Sequence, residues 1–303
     1  MTDIDRSPGG LAASLDRAIK GLVASSPKNC LTKLGGGPIF DEPMVGIADG
    51  DDPVFEQFKT AVGDFHMTPR EAMKACLETG GMTVLDHTPV SVVSWVLPFT
   101  TAIKLSNRRE TQVPSLEWNN GRWQGQEMMN ELATFVMECL HNLGYTAVAP
   151  DMTPCYTVKS LPNGLAANWS QRHIAYAAGL GTFSLSDGLI TPKGVAMRCG
   201  SVVTTAVIAP TPRPYPNHRA NCLFYREGTC RKCAERCPAG AITEDGHDKI
   251  KCREFVVTTQ PAILKRLGRD QGYVGRYLGC GMCQTGVPCE SRIPKSAAQS
   301  QGG

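Results

Sequence analysis

No stretch of this 303-residue chain approaches the roughly 18 consecutive apolar residues of a membrane-spanning helix, and no membrane association is expected. An apolar signal core is also missing near the start: Met1 to Gly10 holds Asp3, Asp5 and Pro8, so an export signal is not expected. Charge of one sign is scarce. Lys and Arg number 31 against 28 Asp and Glu, a net charge of +3, and the basic residues are scattered, which neither supports nor excludes nucleic-acid binding. There is no internal repeat beyond two cysteine half-motifs, and the one low-complexity segment is the Ser/Gln/Gly tail from Ser296. What remains is ordinary globular sequence, 42% hydrophobic, enough for one large domain with an appendage or for two domains.

Cysteine, by contrast, is abundant. Eight of thirteen fall between Cys222 and Cys289. Cys230-x2-Cys233-x3-Cys237-Pro238 reproduces the last three ligands and trailing proline of the bacterial ferredoxin run, in which the fourth cysteine serves the other cluster. The first ligand of that run would fall at Glu227, so the role passes to Cys222 through a longer loop. A second half follows with Cys252, Cys280-x2-Cys283 and Cys289. Crossing the halves assigns Cys222, Cys230, Cys233 and Cys289 to one 4Fe-4S cluster and Cys237, Cys252, Cys280 and Cys283 to the other. Structural zinc on the two Cys-x2-Cys pairs is the competing reading, and it leaves Cys222, Cys237, Cys252 and Cys289 unexplained. A disulfide framework fits less well, because the spacing is that of metal loops. Free thiols and oxygen-labile clusters together point to a reducing cytoplasm.

The rest of the chain reads as α/β. Thr68-Pro69-Arg70-Glu71 is a capping box that predicts a helix from Pro69 to about Glu78, stopped by Gly80-Gly81. Strand-like runs cover Val84 to Leu97, Ala147 to Ala149 and Ser201 to Ala209. Met128, Leu132, Phe135, Val136, Cys139, Leu140 and Leu143 recur at helical spacing before a C-capping Gly144. Trp118 to Trp123 places two aromatics around an Asn-Asn-Gly turn signal, which either covers a ring-shaped ligand or anchors the start of that helix. Prolines at 210, 212, 214 and 216 mark a boundary, giving units 1–212 and 213–295 and a tail 296–303. Between the strands, Arg172 to Ala178 reads as a helix ended by Gly179, with Gly181 a second unrestricted backbone position.

Ala178-Gly-Leu-Gly181, the following Leu189-Ile190-Thr191, and then the two-cluster cysteine order with the lone Cys252 between its halves resemble the epoxyqueuosine reductase family, and more distantly the corrinoid reductive dehalogenases. The likeness covers roughly Tyr156 to Cys289. It implies an α/β (α+β) N-terminal domain of cobalamin-binding type, a C-terminal ferredoxin-like domain with two 4Fe-4S clusters, and base-off cobalamin beside one of them. By the same resemblance, Gly179, Leu180, Gly181, Thr182, Leu189 and Thr191 border the corrin, and an external low-potential donor of ferredoxin or flavodoxin type supplies electrons. The chain departs from the tRNA-modifying members at Leu165, where an acid is expected shortly before a proline, and at Gln171-Arg172, in place of Glu-Arg. It also has no room after Cys289 for the helical repeats of longer members. These departures favour a small-molecule substrate over tRNA, which is not excluded.

Candidate catalytic groups are Tyr156, which resembles the phenolic proton donors of the dehalogenases, and Arg172 and His173, which open the helix before Gly179. Each has a bland counterpart, a core tyrosine or an exposed helix face. His66 and His87 are imidazoles that could ligate cobalt in principle, although the resemblance implies none. Of the cysteines outside the cluster set, Cys30, Cys76, Cys139, Cys155 and Cys199, only Cys155 sits where reactivity is expected. Asp41-Glu42 and Asp49 to Asp52 read as solvated acidic turns. Two functions stay open: a cobalamin-dependent iron–sulfur reductase acting on a small molecule, and an electron-transfer protein or corrinoid activator with no substrate site of its own.

Overall fold

The computed structural model describes residues 5–79, 81 and 87–295. Gly80, the first part of the strand expected from Val84, and the tail from Ser296 lie outside them. In chain order the elements are α1 (Pro8–Ser25), β1 (Met44–Asp49), α2 (Val54–Ala61), α3 (Pro69–Glu78), β2 (Ser91–Pro98), α4 (Thr101–Arg108), α5 (Leu116–Asn142) and β3 (Ala147–Val148). Then come the hairpin β4 (Val158–Leu161) and β5 (Gly164–Ala167), α6 (Gln171–Ala177), the pair β6 (Thr182–Phe183) and β7 (Leu189–Ile190), and β8 (Met197–Thr204).

Four strands form one antiparallel sheet in the order β1-β2-β8-β3. β2 is buried on both faces, and its alternation divides the core. Val93, Trp95 and Leu97 face α1 and α5, meeting Leu15, Ile19, Met128, Leu132 and Val136. Val92 and Val96 face α2, α3 and α6, meeting Phe55, Phe58, Met73, Ile174 and Trp169. The result is a helix–sheet–helix sandwich, a mixed α and β fold as expected, with an antiparallel sheet.

Local signals explain most of the helices. Both halves of the capping box close at α3, Thr68 Oγ1 accepting from the Glu71 amide and the Glu71 carboxylate accepting from the Thr68 amide at 2.8 Å. Gly144 takes φ +86° just past α5, as its C-cap role requires. The turn signal at Asn119-Asn120-Gly121 does not hold: α5 runs through it, starting at Leu116 with Ser115 as N-cap. The asparagines escape the turn because their amides are committed elsewhere. Asn119 Nδ2 donates to the carbonyls of Val274 and Leu278, both at 3.1 Å, and Asn120 Nδ2 to Gly272 at 3.0 Å. Gly125 is needed within α5 because a Cβ there would stand 2.6 Å from the Phe40 ring.

The proline segment after residue 209 is laced to the sheet edge. The Thr211 amide donates to the Ile47 carbonyl and Thr211 Oγ1 accepts from the Ile47 amide, each at 2.9 Å, while Arg213 pairs with Asp52 at 2.8 Å. Beyond it lie α7 (Leu223–Glu227), α8 (Lys232–Glu235), the short pair β9 (Ile242–Thr243) and β10 (Gly246–His247), α9 (Lys249–Glu254), a π-helical turn at Phe255–Thr259 and α10 (Gln260–Arg266). Two small apolar clusters serve this region: Ile242 and Val287 pack against Cys222, Cys233, Cys237, Cys283 and Cys289, and Leu264 and Leu278 pack with Val113 from the loop before α5. So little apolar burial leaves such a module dependent on another source of stability, and metal–thiolate bonding is the usual one.

Candidate cofactor and active site

The eight cysteines of the C-terminal region gather into two constellations. Cys222, Cys230, Cys233 and Cys289 line a single small cavity together with Ile190 and Val287. Burial pushes the Cys233 thiol up to about 12, reinforced by the charges of Cys222 and Cys230. Cys289 is raised by burial and by Cys233, Cys222 and Cys230. The second group shows the same reciprocity: Cys280 is pushed up to about 12 by burial, with Cys252 and Cys237 adding to it, and Cys283 is raised by burial and then by Cys280 and Cys252. The Ala241 amide donates to Cys237 Sγ at 3.3 Å. Thiols that oppose each other's ionisation in apolar surroundings are stable as thiolates when a polycation holds them. Among the described residues no group of three or more His, Cys, Asp or Glu side chains closes around a single-ion site. Four cysteine thiols in each group are the donor chemistry that a four-iron cube takes.

Beside the second quartet lies a cavity of about 860 Å³. Tyr277, Gly279 and Gly281, which bracket Cys280, form one wall, and His247 reaches it from β10. The rest of the lining comes from the sandwich: Trp118, Arg122 and Gln126 of α5, Asp151 and Tyr156 from the loop after β3, Gln171, Arg172 and His173 of α6, and Arg198 and Cys199 of β8. Val158 and Leu165 of the β4–β5 hairpin stand at the mouth, Leu165 being 45% exposed. The first quartet is reached instead by an open groove of about 920 Å³ lined by Arg108, Cys230, Arg231, Lys232 and Arg292.

The sequence-derived candidates divide accordingly. Tyr156, Arg172, His173 and Leu189 all line the cavity. Gly179, Leu180, Gly181, Thr182 and Thr191 are not on its wall. Gly179, at φ +75°, backs onto Pro212, where a Cβ would meet the Pro212 carbonyl at 2.5 Å. Leu180 is buried in the α2/α3/α6 core. A Cβ on Gly181 would meet the Ile190 carbonyl at 2.5 Å. Thr182 Oγ1 accepts from the Asn221 amide at 2.9 Å, and Thr191 Oγ1 donates to the Gly194 carbonyl at 2.9 Å. This stretch fastens α6 to the proline segment and to the loop before α7.

His173 is not on an exposed helix face. Its Nδ1 lies 2.8 Å from Ser170 Oγ, its ring meets Phe58 and Phe183, and burial, then the neighbouring His66, lowers its pKa to about 3. It is a neutral imidazole near pH 7. His66 is fully buried with a pKa lowered to about 4 by burial; its Nε2 accepts from the Ser170 amide at 3.1 Å, a structural role away from the cavity wall. Cys155 Sγ lies 2.8 Å from Thr153 Oγ1, which is in turn 3.3 Å from Cys76 Sγ, and burial with the Cys155 hydrogen bond pushes the Cys76 thiol up to about 12.

Asp151 is the residue that sequence reasoning passed over. It is solvent-exposed on the cavity wall, and desolvation by the surrounding protein still raises its carboxyl pKa against the opposing pull of Gln171 and Arg198. Its sequence signal is Asp151-Met-Thr-Pro154, an acid shortly before a proline, upstream of the β4–β5 hairpin that carries Leu165. Tyr156, two residues past that proline, has its phenol raised by burial and by Asp151.

No family model matches the chain. Among curated proteins, an epoxyqueuosine reductase from Bacillus anthracis is 32% identical over 138 residues, covering 45% of this chain and 33% of that protein. One from Synechocystis sp. is 31% identical over 157 residues, covering 50% of this chain and 48% of that protein. The matched stretch thus spans between a third and a half of these relatives. Among solved structures, a catabolic reductive dehalogenase in complex with 3-bromo-4-hydroxybenzoic acid superposes with a TM-score of 0.54 at 15% identity, covering 97% of this chain and 34% of that one. The chain is therefore similar in sequence to epoxyqueuosine reductases over half its length or less, and it shares its fold with a reductive dehalogenase over nearly all of it, as the cysteine order and the Ala-Gly-Leu-Gly stretch led us to expect.

Proposed function

We propose that this protein is an iron–sulfur reductase that carries electrons through two 4Fe-4S clusters to a corrinoid and a substrate held in the 860 Å³ cavity. The observation that carries the reading is the juxtaposition of the second cysteine quartet with that cavity through the Tyr277–Gly281 wall. Cys222, Cys230, Cys233 and Cys289 would hold the cluster nearer the surface, and the groove beside Cys230, lined by Arg231, Lys232 and Arg292 together with Glu235 and Glu290, is where a donor of ferredoxin or flavodoxin type would deliver electrons. Cys237, Cys252, Cys280 and Cys283 would hold the cluster next to the cavity. Bound cobalamin would supply a strongly reducing metal centre, the hard chemistry that side chains lack.

The chain's own residues bind, orient and protonate. Asp151, with its raised pKa, is suited to giving a proton to a reduced substrate, and Tyr156 is a second donor on the same loop. His173, neutral and held by Ser170, positions rather than donates. The hairpin residues Val158 and Leu165 narrow the mouth with apolar surface. The cavity favours an enzyme over an electron carrier, which needs only a surface near a cluster. A small substrate is our preferred reading; epoxyqueuosine, for which the relatives are named, is the alternative, and Asp151 supplies the acid that Leu165 does not.

Anaerobic titration of the iron-loaded protein with cobalamin, followed by visible spectroscopy, tests this. A saturable change to a base-off spectrum is expected. An unchanged spectrum would instead favour the electron carrier.

A further inference from the structure

Three cationic side chains on the cavity wall have no carboxylate within ion-pair distance among the described residues: Arg122, Arg172 and Arg198. Two of them are neighbours. Arg198 Nη1 donates to the backbone carbonyl of Arg122 at 2.9 Å and its Nη2 to Gln126 Oε1 at 2.5 Å. The Arg122 guanidinium hydrogen-bonds the Tyr277 hydroxyl and lies 4.6 Å from the centre of that ring. Burial lowers the pKa of Arg122, and burial followed by repulsion from Arg122 lowers that of Arg198 to about 10. Several arginines elsewhere on the chain do have a carboxylate partner: Arg108 is paired with Glu290, Arg213 with Asp52 and Arg269 with Glu110.

Neither guanidinium has a carboxylate partner, both are partly desolvated and the charge of Arg122 opposes that of Arg198, so an anion within reach of both relieves burial and repulsion. Asp151 is the one carboxylate on the wall, and its interaction with Arg198 is the weakest of those acting on that group. A further unmet donor lies close by. Gln171 Nε2 is buried and closes no hydrogen bond, although it stands near enough to Asp151 to favour its ionised form. The guanidinium fork matches the planar oxygens of a carboxylate or phosphate.

We propose that Arg122 and Arg198 form a subsite for an anionic group of the substrate, a carboxylate or a phosphate, and so select an acidic small molecule. The proposal rests on the substrate cavity assigned above. It places the anion beside Tyr277, on the wall that leads to Cys280, and leaves Asp151 and Tyr156 facing the part of the ligand that is reduced.

The test is calorimetric titration of the anaerobic, iron-loaded protein with benzoate, phenyl phosphate and the neutral isostere benzamide, with and without bound cobalamin. Loss of a charge-assisted hydrogen bond of this kind reduces affinity roughly 10- to 100-fold. We expect at least one anion to bind about 10-fold or more tightly than benzamide in both states, and Arg198→Gln and Arg122→Met each to abolish that preference while leaving cobalamin binding unchanged. Equal binding of the anions and benzamide, or binding of none, overturns the proposal. It is also overturned if cobalamin displaces the anions and the two variants lose cobalamin, since the arginines would then serve the cofactor's phosphodiester. If anion preference persists in a protein that takes up no cobalamin, the subsite stands and the corrinoid reading fails. The wild-type comparison needs no variant to fold.

Discussion

Trp118 Nε1 donates a 2.7 Å hydrogen bond to the carbonyl of Gly279, so the first turn of α5 grips the backbone one residue before Cys280. Trp123 repeats the contact one turn later, to the Tyr277 carbonyl at 3.0 Å. The wall between the sandwich and the second quartet is built from these two indoles and from Asn119. Gly281 is at φ +65° with the Trp118 ring where a Cβ would go, only 2.0 Å away. Replacing it by Ala should therefore destabilise the protein by roughly 2 kcal/mol or more and loosen Cys280. Trp118→Phe, which removes the hydrogen bond and part of the buried ring, should lower stability by roughly 2 kcal/mol or more. Thermal denaturation under anaerobic conditions, with iron counted before and after gel filtration, separates the two effects; unchanged stability and iron content in the Gly281 variant would contradict the packing argument.

The crossed assignment of ligands predicts which substitutions resemble one another. Cys237→Ser should give the same spectral loss as Cys252→Ser, not that of its near neighbour Cys233. Cys289→Ser should group with Cys222→Ser. Low-temperature electron paramagnetic resonance of the reduced variants reads this directly. If Cys233 and Cys237 variants lose the same cluster, the halves do not cross.

Glu290 has a side chain only 5% exposed, and it meets Arg108 with two hydrogen bonds, at 2.5 and 3.2 Å, while accepting from the Gly286 amide at 2.5 Å. Its own carbonyl and that of Cys289 accept from the Ala196 and Val195 amides. Glu290→Gln keeps the shape and removes the charge. We expect a loss of roughly 2 kcal/mol, limited by the solvent exposure of Arg108, and faster release of iron from the quartet containing Cys289. Chelator challenge measures that release, and parental kinetics would refute the link.

His66 and His173 make stability depend on pH in one direction. Their folded pKa values, about 4 and about 3, lie below the ordinary 6.5, so the unfolded chain binds protons that the folded one refuses. Their contribution is complete above pH 6.5 and is lost as pH falls from there toward 4, at about 1.4 kcal/mol per pH unit for each histidine. His173→Phe should remove about half of that slope in denaturant titrations between pH 6.5 and 5. A slope equal to the parent's would mean that His173 is already protonated in the folded state.

The cysteine spacing made the C-terminal module legible because short loops leave few ways to gather thiolates, and α3 was legible because Thr68 and Glu71 act locally. The four-stranded sheet was harder. Its strands pair across the length of the chain, Ser91 with Thr204 and Met44 with Val96, and no local pattern encodes that register. β8 begins at Met197, earlier than its apolar run suggests, because Arg198 and Cys199 face the cavity and interrupt the hydrophobic pattern. Asn119-Asn120-Gly121 read as a turn for a similar reason: side chains that signal a turn when satisfied locally are here satisfied by residues 272–278. Asp151 was not singled out because an acid before a proline in a loop carries no local signal of the cavity it lines.

The central claim is that two clusters lead to a corrinoid in the cavity. The most direct measurement is anaerobic purification after expression with cobalamin supplied, with iron, sulfide and cobalt counted on the same sample. The account predicts about eight iron, about eight sulfide and about one cobalt per chain. About four iron would contradict the two quartets, and eight iron with no cobalt would contradict the corrinoid.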